Sequence, residues 1–290
     1  MKKAYFLMHA AILLWGFTGI FGKLIQMNEG MIVWYRMIIS AASLAVYMFW
    51  KNQSFKVPLK TLSVIGITGV IVALHWITFY GAIKASNVSV TLACFSSIAL
   101  FTAVLEPMIF KTRHHTSEIL LGAGVIAGIY LIFSFQTGYA LGILLSLISA
   151  VLGSLFTILN RRLMQNYSAG VVTFYELSAG FIFLTMILPP YFHFTGNTFM
   201  IPDLMDTLWL LLLSVLCTTV AFTISLEALK RINAFTMNLS VNLEPLYSII
   251  LAIIIFDEGK DLNAGFYSGT ALIVGTVLFH TWMVFRKKRA

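Results

Sequence analysis

Charge is scarce in this chain. Asp, Glu, Lys and Arg make up 10% of its 290 residues, against about 25% in an ordinary soluble domain. With 59% hydrophobic residues, a water-soluble fold has nowhere to put the apolar surface, which excludes that class. Cysteine is almost absent: Cys94 and Cys217 both lie inside apolar stretches, so neither a disulfide framework nor a metal-ligand spacing is available. No linker rich in Pro, Gly or Ser divides the chain, and no phosphate loop, zinc-helix signature or Gly-x-Ser-x-Gly elbow occurs. ATP-driven pumping and common hydrolase chemistries lose support, and no cofactor or metal is expected. His114-His115 lacks the i, i+4 geometry of a metal site. Alternating barrel strands are missing as well, so helices must satisfy the backbone in lipid.

What fills the chain is apolar runs, at about 4–25, 31–50, 61–83, 88–110, 117–134, 138–160, 170–189, 207–227, 234–256 and 264–285, each long enough to cross a bilayer. The expected fold is therefore an all-α polytopic membrane protein with ten transmembrane helices. Lys2-Lys3 before the first run resembles a secretion signal, but no small-x-small cleavage site follows, which favours an uncleaved first span. Apart from Lys23, Arg36, Lys84 and Lys260, every Lys and Arg falls on one side if both termini are cytoplasmic. The positive-inside rule then gives N-in, C-in in a cytoplasmic membrane. The net charge of +8 is thus read as facing lipid headgroups, not nucleic acid.

The chain also repeats itself. Ala82-Ile83-Lys84-Ala85-Ser86-Asn87 returns 146 residues later as Ala228-Leu229-Lys230-Arg231-Ile232-Asn233, and Leu100, Leu105, Ile109 and Phe110 meet Leu246, Leu251, Ile255 and Phe256 at the same offset. Weaker matches pair Trp34-Tyr35-Arg36 with Phe174-Tyr175-Glu176 and Leu14-Trp15-Gly16 with Val151-Leu152-Gly153. Five spans separate the copies. An odd number turns the second copy upside down, giving two inverted five-helix repeats, 1–137 and 138–290, around a shared site.

Ionisable groups at membrane depth need a partner or water. Glu244 stands ten residues into the ninth span, about 15 Å deep, and Pro245 behind it frees the carbonyl of Val241. Asn238 and Asn242 share one helical face nearby. A carboxylate, two amides and a loosened backbone suit a solute amine or a proton. The alternative is a protonated Glu bonded between helices. In the third span His75, Trp76, Phe79 and Tyr80 form two adjacent stripes. They suit an amphipathic solute, with a cation over Trp76, although Phe79 reads as packing and His75 as bonded to a neighbouring hydroxyl. Trp15, beside Gly16 and Gly19, is a candidate gate or cavity wall. Arg36 reads as snorkelling to the outer face, Glu176 as meeting Arg161 or Arg162, and Glu106 as a local ion pair with Lys111 or Arg113.

Read together, several short motifs resemble the EamA-type branch of the drug/metabolite transporter superfamily. They are Leu13-Leu14-Trp15-Gly16, then Arg36 with Ala41 and Leu44, Phe79-Tyr80-Gly81-Ala82-Ile83, Leu243-Glu244-Pro245, Phe256-Asp257-Glu258 and Gly269-x-x-Leu272-Ile273-x-Gly275. The resemblance spans essentially the whole chain. It implies transport of small metabolites, commonly amino acids and related solutes and often as export, through a central cavity between the halves. The chain departs from the family where Ala99 replaces a proline and Thr112 an acidic residue, with Pro107 later. Equivalent broken helices in both halves therefore do not follow from the sequence. Two readings remain at this level: a secondary carrier for a small-molecule solute, with a coupling proton as an option and Glu244, His75, Trp76, Tyr80, Asn238, Asn242 and Trp15 as the binding set, or an intramembrane enzyme acting on a lipid-linked substrate.

Overall fold

The computed structural model describes residues 2–112, 116–135, 137–241, 243–260 and 262–287, and the described residues contain helices and turns but no strand. Long apolar runs with few helix breakers become long helices because lipid offers the backbone no other partner. In chain order these are α1 (Lys2–Trp15), α2 (Thr18–Leu24), α3 (Glu29–Trp50), α4 (Leu59–Ala85), α5 (Val88–Phe95), α6 (Ile98–Phe110), α7 (Thr116–Phe135), α8 (Ala140–Leu163), α9 (Ala169–Thr195), α10 (Leu204–Ser214), α11 (Ala221–Leu229), α12 (Ala234–Val241), α13 (Glu244–Phe256) and α14 (Ala264–Lys287). Seven segments are long and apolar enough to span a bilayer: α1–α2, α3, α4, α5–α6, α8, α9 and α10–α11; Tyr247–Phe256 is a shorter apolar stretch. Large apolar side chains such as Ile67, Ile126, Met186 and Ile254 point outward, as a lipid-facing perimeter requires.

Two helix breaks stand at matching positions. α5 ends at Phe95 and α6 begins at Ile98; 146 residues on, α12 ends at Val241 and α13 begins at Glu244. This match does not follow from the sequence, because the two breaks use different chemistry. Pro245 sits in the first turn of α13, where its missing N–H costs nothing. In the other half Ser96 and Ser97 turn their hydroxyls back onto the carbonyls of Leu92 (3.1 Å) and Cys94 (2.8 Å), competing with the helix ladder. The matching turns before them also agree. Asn87 caps α5 by accepting from the Val90 amide at 2.8 Å, and Asn233 caps α12 by accepting from Thr236 at 2.7 Å.

Packing contacts come in reciprocal pairs: α4 on α8 and α11 on α1, α5 on α13 and α6 on α12, with α3 on α9 and α7 on α14 matching themselves. Close approach rests on glycine. A Cβ on Gly69 of α4 would lie 2.3 Å from the Glu176 carbonyl oxygen of α9, and one on Gly180 would lie 2.8 Å from the Gly69 oxygen. Backbones this close leave no room for a methyl group. Gly69→Ala is expected to cost about 1–3 kcal/mol, read as a lower unfolding temperature in detergent. Gly66→Ala, whose nearest neighbour would be Ala179 at 3.9 Å, should leave that temperature unchanged.

Candidate functional site

Between the breaks lies a cavity walled by Trp15, Trp76, Phe79, Phe95, Phe156 and Phe222 and reached by Arg36, His75, Asn238 and Glu244. Arg36 organises it. The snorkelling expected from the sequence is wrong: Arg36 is 1% exposed. Its Nε donates to Thr218 Oγ1 at 2.6 Å, its Nη1 to the Tyr80 hydroxyl at 2.8 Å and its Nη2 to the Cys217 carbonyl at 3.5 Å. The guanidinium lies 3.7 Å from the centre of the Trp76 ring. A cation does sit over Trp76, but it belongs to the protein.

Two of the three acceptors for Arg36 come from a local irregularity. Between α10 and α11 the chain makes a π-helical turn, Val215–Val220. The Thr218 hydroxyl donates to Leu213 O, five residues back, at 2.9 Å. Widening the turn in this way frees acceptors that an α-helix would keep to itself. Thr218 and Thr219 gave no strong signal in the sequence. Their neighbours explain them, since Thr219 also meets the Ser43 hydroxyl at 2.8 Å.

Glu244 is the first residue of α13, 5% exposed, and its side chain has no hydrogen-bond partner among the described residues. A helix N-terminus favours a negative charge there. Its counterpart in the other half is Ile98, which also lines the cavity, so the pocket is acidic on one side only. His75 Nδ1 lies 2.9 Å from the Ser149 carbonyl and 2.8 Å from its hydroxyl, and the ring stacks on Phe95. Asn238 donates to Thr102 at 2.8 Å and accepts from Thr157 at 3.0 Å, tying α12 to α6 and α8. Trp15 meets Phe222 edge-on, with its Nε1 buried and unpartnered. Tyr80 is buried behind Arg36 and does not line the cavity. Asn242, like His114 and His115, lies outside the described residues. The structure thus brings Glu244, His75, Trp76, Asn238 and Trp15 to one cavity. It adds Arg36, Phe156, Thr157 and Phe222, of which only Arg36 announced itself, as an ionisable residue inside a span.

Two further carboxylates cross between the halves. Glu258, in the turn beyond α13, accepts from the Val88 and Ser89 amides of α5 (3.1 and 3.0 Å), from the Ser89 hydroxyl at 2.6 Å and from Lys23 of α2 at 2.8 Å. At the opposite end Glu106 of α6 accepts from the Phe235 amide of α12 at 3.0 Å, beside a wide opening lined by Thr102, Pro107, Arg161 and Asn233. Phe235 stands 146 residues after Ser89, so each half caps the fourth helix of the other. Arg161 donates to the Leu229 carbonyl at 2.8 Å, and Glu176 instead meets Asn160, which corrects the expected pairing of Glu176 with Arg161 or Arg162.

The EamA-like transporter family model matches residues 2–134 and again 140–282. The chain belongs to this family. It is a multi-pass membrane transporter of the drug/metabolite transporter superfamily, and its partner is a small-molecule solute. It is 25% identical to an uncharacterized transporter of Archaeoglobus fulgidus, over 96% of this chain and 97% of that protein. It is 24% identical to an uncharacterized transporter of Clostridium kluyveri, over 70% and 66%. One solved crystal structure shares the fold at a TM-score of 0.70, with 19% identity and 99% of both chains covered. Family and relatives indicate a transporter rather than an enzyme.

Burial works against the charge on Glu258, but the bonds from Lys23 and Ser89 outweigh it and hold the carboxylate below its ordinary range. The stability it contributes is complete above the unfolded value of about 4.3 and is lost as pH falls through the lower folded value. Glu258→Gln is expected to cost about 2 kcal/mol at neutral pH. Thermal unfolding in detergent should show the gap between variant and parent closing as the solution is acidified.

Proposed function

We propose that this transporter is a secondary carrier of small zwitterionic metabolites, amino acids or close relatives, working by alternating access in the cytoplasmic membrane, with export as its direction. The observation that carries the reading is a buried guanidinium and a buried carboxyl group lining one aromatic cavity. Arg36 has donors left after binding Thr218, Tyr80 and Cys217, and these suit a carboxylate. Glu244 has both oxygens available for an ammonium group, and the surrounding rings suit an apolar side chain. His75 and Asn238 contribute to the wall, Trp15 closes it, and Trp76 and Tyr80 hold Arg36 in place.

The layout supports this mechanism. Ten crossings with both termini cytoplasmic, as repeats 1–137 and 138–290, put Glu258 and Lys23 at the outer end and Glu106 with Phe235 at the inner end. The outer end is bound by several hydrogen bonds and an ion pair, while the inner one adjoins an opening. Rocking the halves would exchange these two states around the midplane cavity.

Two measurements test the reading. In proteoliposomes loaded with a panel of amino acids and related solutes, Glu244→Gln and Arg36→Lys should each weaken apparent affinity at least about tenfold, the worth of one charge-assisted bond. Unchanged flux and affinity in both, for every transported solute, would remove these residues from the site. Separately, Lys84→Cys and Lys230→Cys should react with an impermeant thiol reagent from opposite faces. Reaction from the same face would overturn the inverted arrangement.

A further inference from the structure

Another buried carboxyl group lies away from the cavity, within the α8–α9 pair. Glu176 of α9 is 1% exposed, and Asn160 of α8, facing it, is fully buried. Asn160 Nδ2 donates to Glu176 Oε1 at 2.8 Å and to the Phe156 carbonyl at 3.2 Å. These two acceptors fix which way round the amide sits. What remains is informative: Glu176 Oε2 and Asn160 Oδ1 are both buried and have no partner. Two acceptors cannot satisfy each other, and each unmet acceptor in an apolar interior costs free energy.

One added proton removes both defects. A protonated carboxyl carries one O–H donor, and a primary amide carries a donor and an acceptor side by side. With the proton on Oε2, the acid donates to Asn160 Oδ1 while Asn160 Nδ2 donates to Oε1, closing a ring of two hydrogen bonds. Charged and titratable groups on the surrounding helices are engaged elsewhere. Arg36 of α3 is held by Thr218 and Tyr80, His75 of α4 by Ser149, Arg161 of α8 by Leu229 and Glu227 of α11 by Lys230. On α9 itself Tyr175 donates to the Phe55 carbonyl. No cation pairs with Glu176 among the described residues. α4 meets the backbone of Glu176 with Gly69, which brings no charged group.

We propose that Glu176 and Asn160 form a proton-binding site separate from the solute cavity, in which a single proton on Glu176 completes an acid–amide pair locking α8 to α9. Thr173, on the same face of α9 one turn earlier, has a buried hydroxyl without a partner, a donor in reserve for the carboxylate when the proton leaves. The site stands independently of which solute the cavity takes.

The test is infrared spectroscopy of the purified full-length protein in a Glu244→Gln background, which removes the other deep carboxyl. At neutral pH a protonated carboxyl C=O band is expected, and adding Glu176→Gln should abolish it. Because Gln keeps a donor and an acceptor in place, that variant should fold with an unchanged unfolding temperature. Asn160→Leu should keep the band and move it to higher frequency, as an acid carbonyl does when it loses its hydrogen bond. A spectrum that Glu176→Gln leaves unchanged would overturn the proposal, as would a band indifferent to Asn160→Leu. If Glu176→Gln fails to fold, the Asn160→Leu shift decides alone.

Discussion

A guanidinium sealed at membrane depth sets the terms for the rest of this structure. At that depth Arg36 takes its acceptors from the protein. It meets the π-turn at Val215–Val220, the buried hydroxyl of Tyr80 and the Trp76 face beneath the charge. The side chain links α3, α4 and the α10–α11 segment in one polar knot. The cavity wall joins that knot through Trp76, which lies under Arg36 and packs against Phe222 and, through it, Trp15 and Phe156.

Asymmetry is the second theme. The halves agree in their turns, caps and breaks, yet the chemistry placed on that frame differs. Ile98 and Glu244 hold matching positions at the two breaks, and Arg36 and Glu176 hold matching positions on α3 and α9. Duplication supplies the shape, and divergence supplies different side chains at its matching positions. Arg36 from one half and Glu244 from the other, which the repeat does not equate, line the same cavity.

Much of this was legible in the chain. The apolar runs match the helices to within a few residues, and the repeated Lys and Asn at the turns correspond to matching N-caps, because an Asn before an apolar run satisfies orphan amides. Glu244 was marked by its depth and its proline. The rest escaped for physical reasons. The Ser96-Ser97 break works through side chains that resemble ordinary small packing residues until their back-bonding is seen. Arg36 could be recognised as a charge within a span, but whether it reaches interface or interior depends on Thr218 and Cys217, some 180 residues distant, which no local pattern encodes. From the chain alone Glu106 reads as a local ion pair and Glu258 only as part of a family motif, because the helix ends they serve belong to the opposite half.

That exchange of caps has its own consequence. α5 begins against a carboxylate carried beyond α13, and α12 begins against one carried on α6. A half-chain made alone would therefore start its fourth helix with bare amides in an apolar setting, so each duplicate has become the other's folding partner.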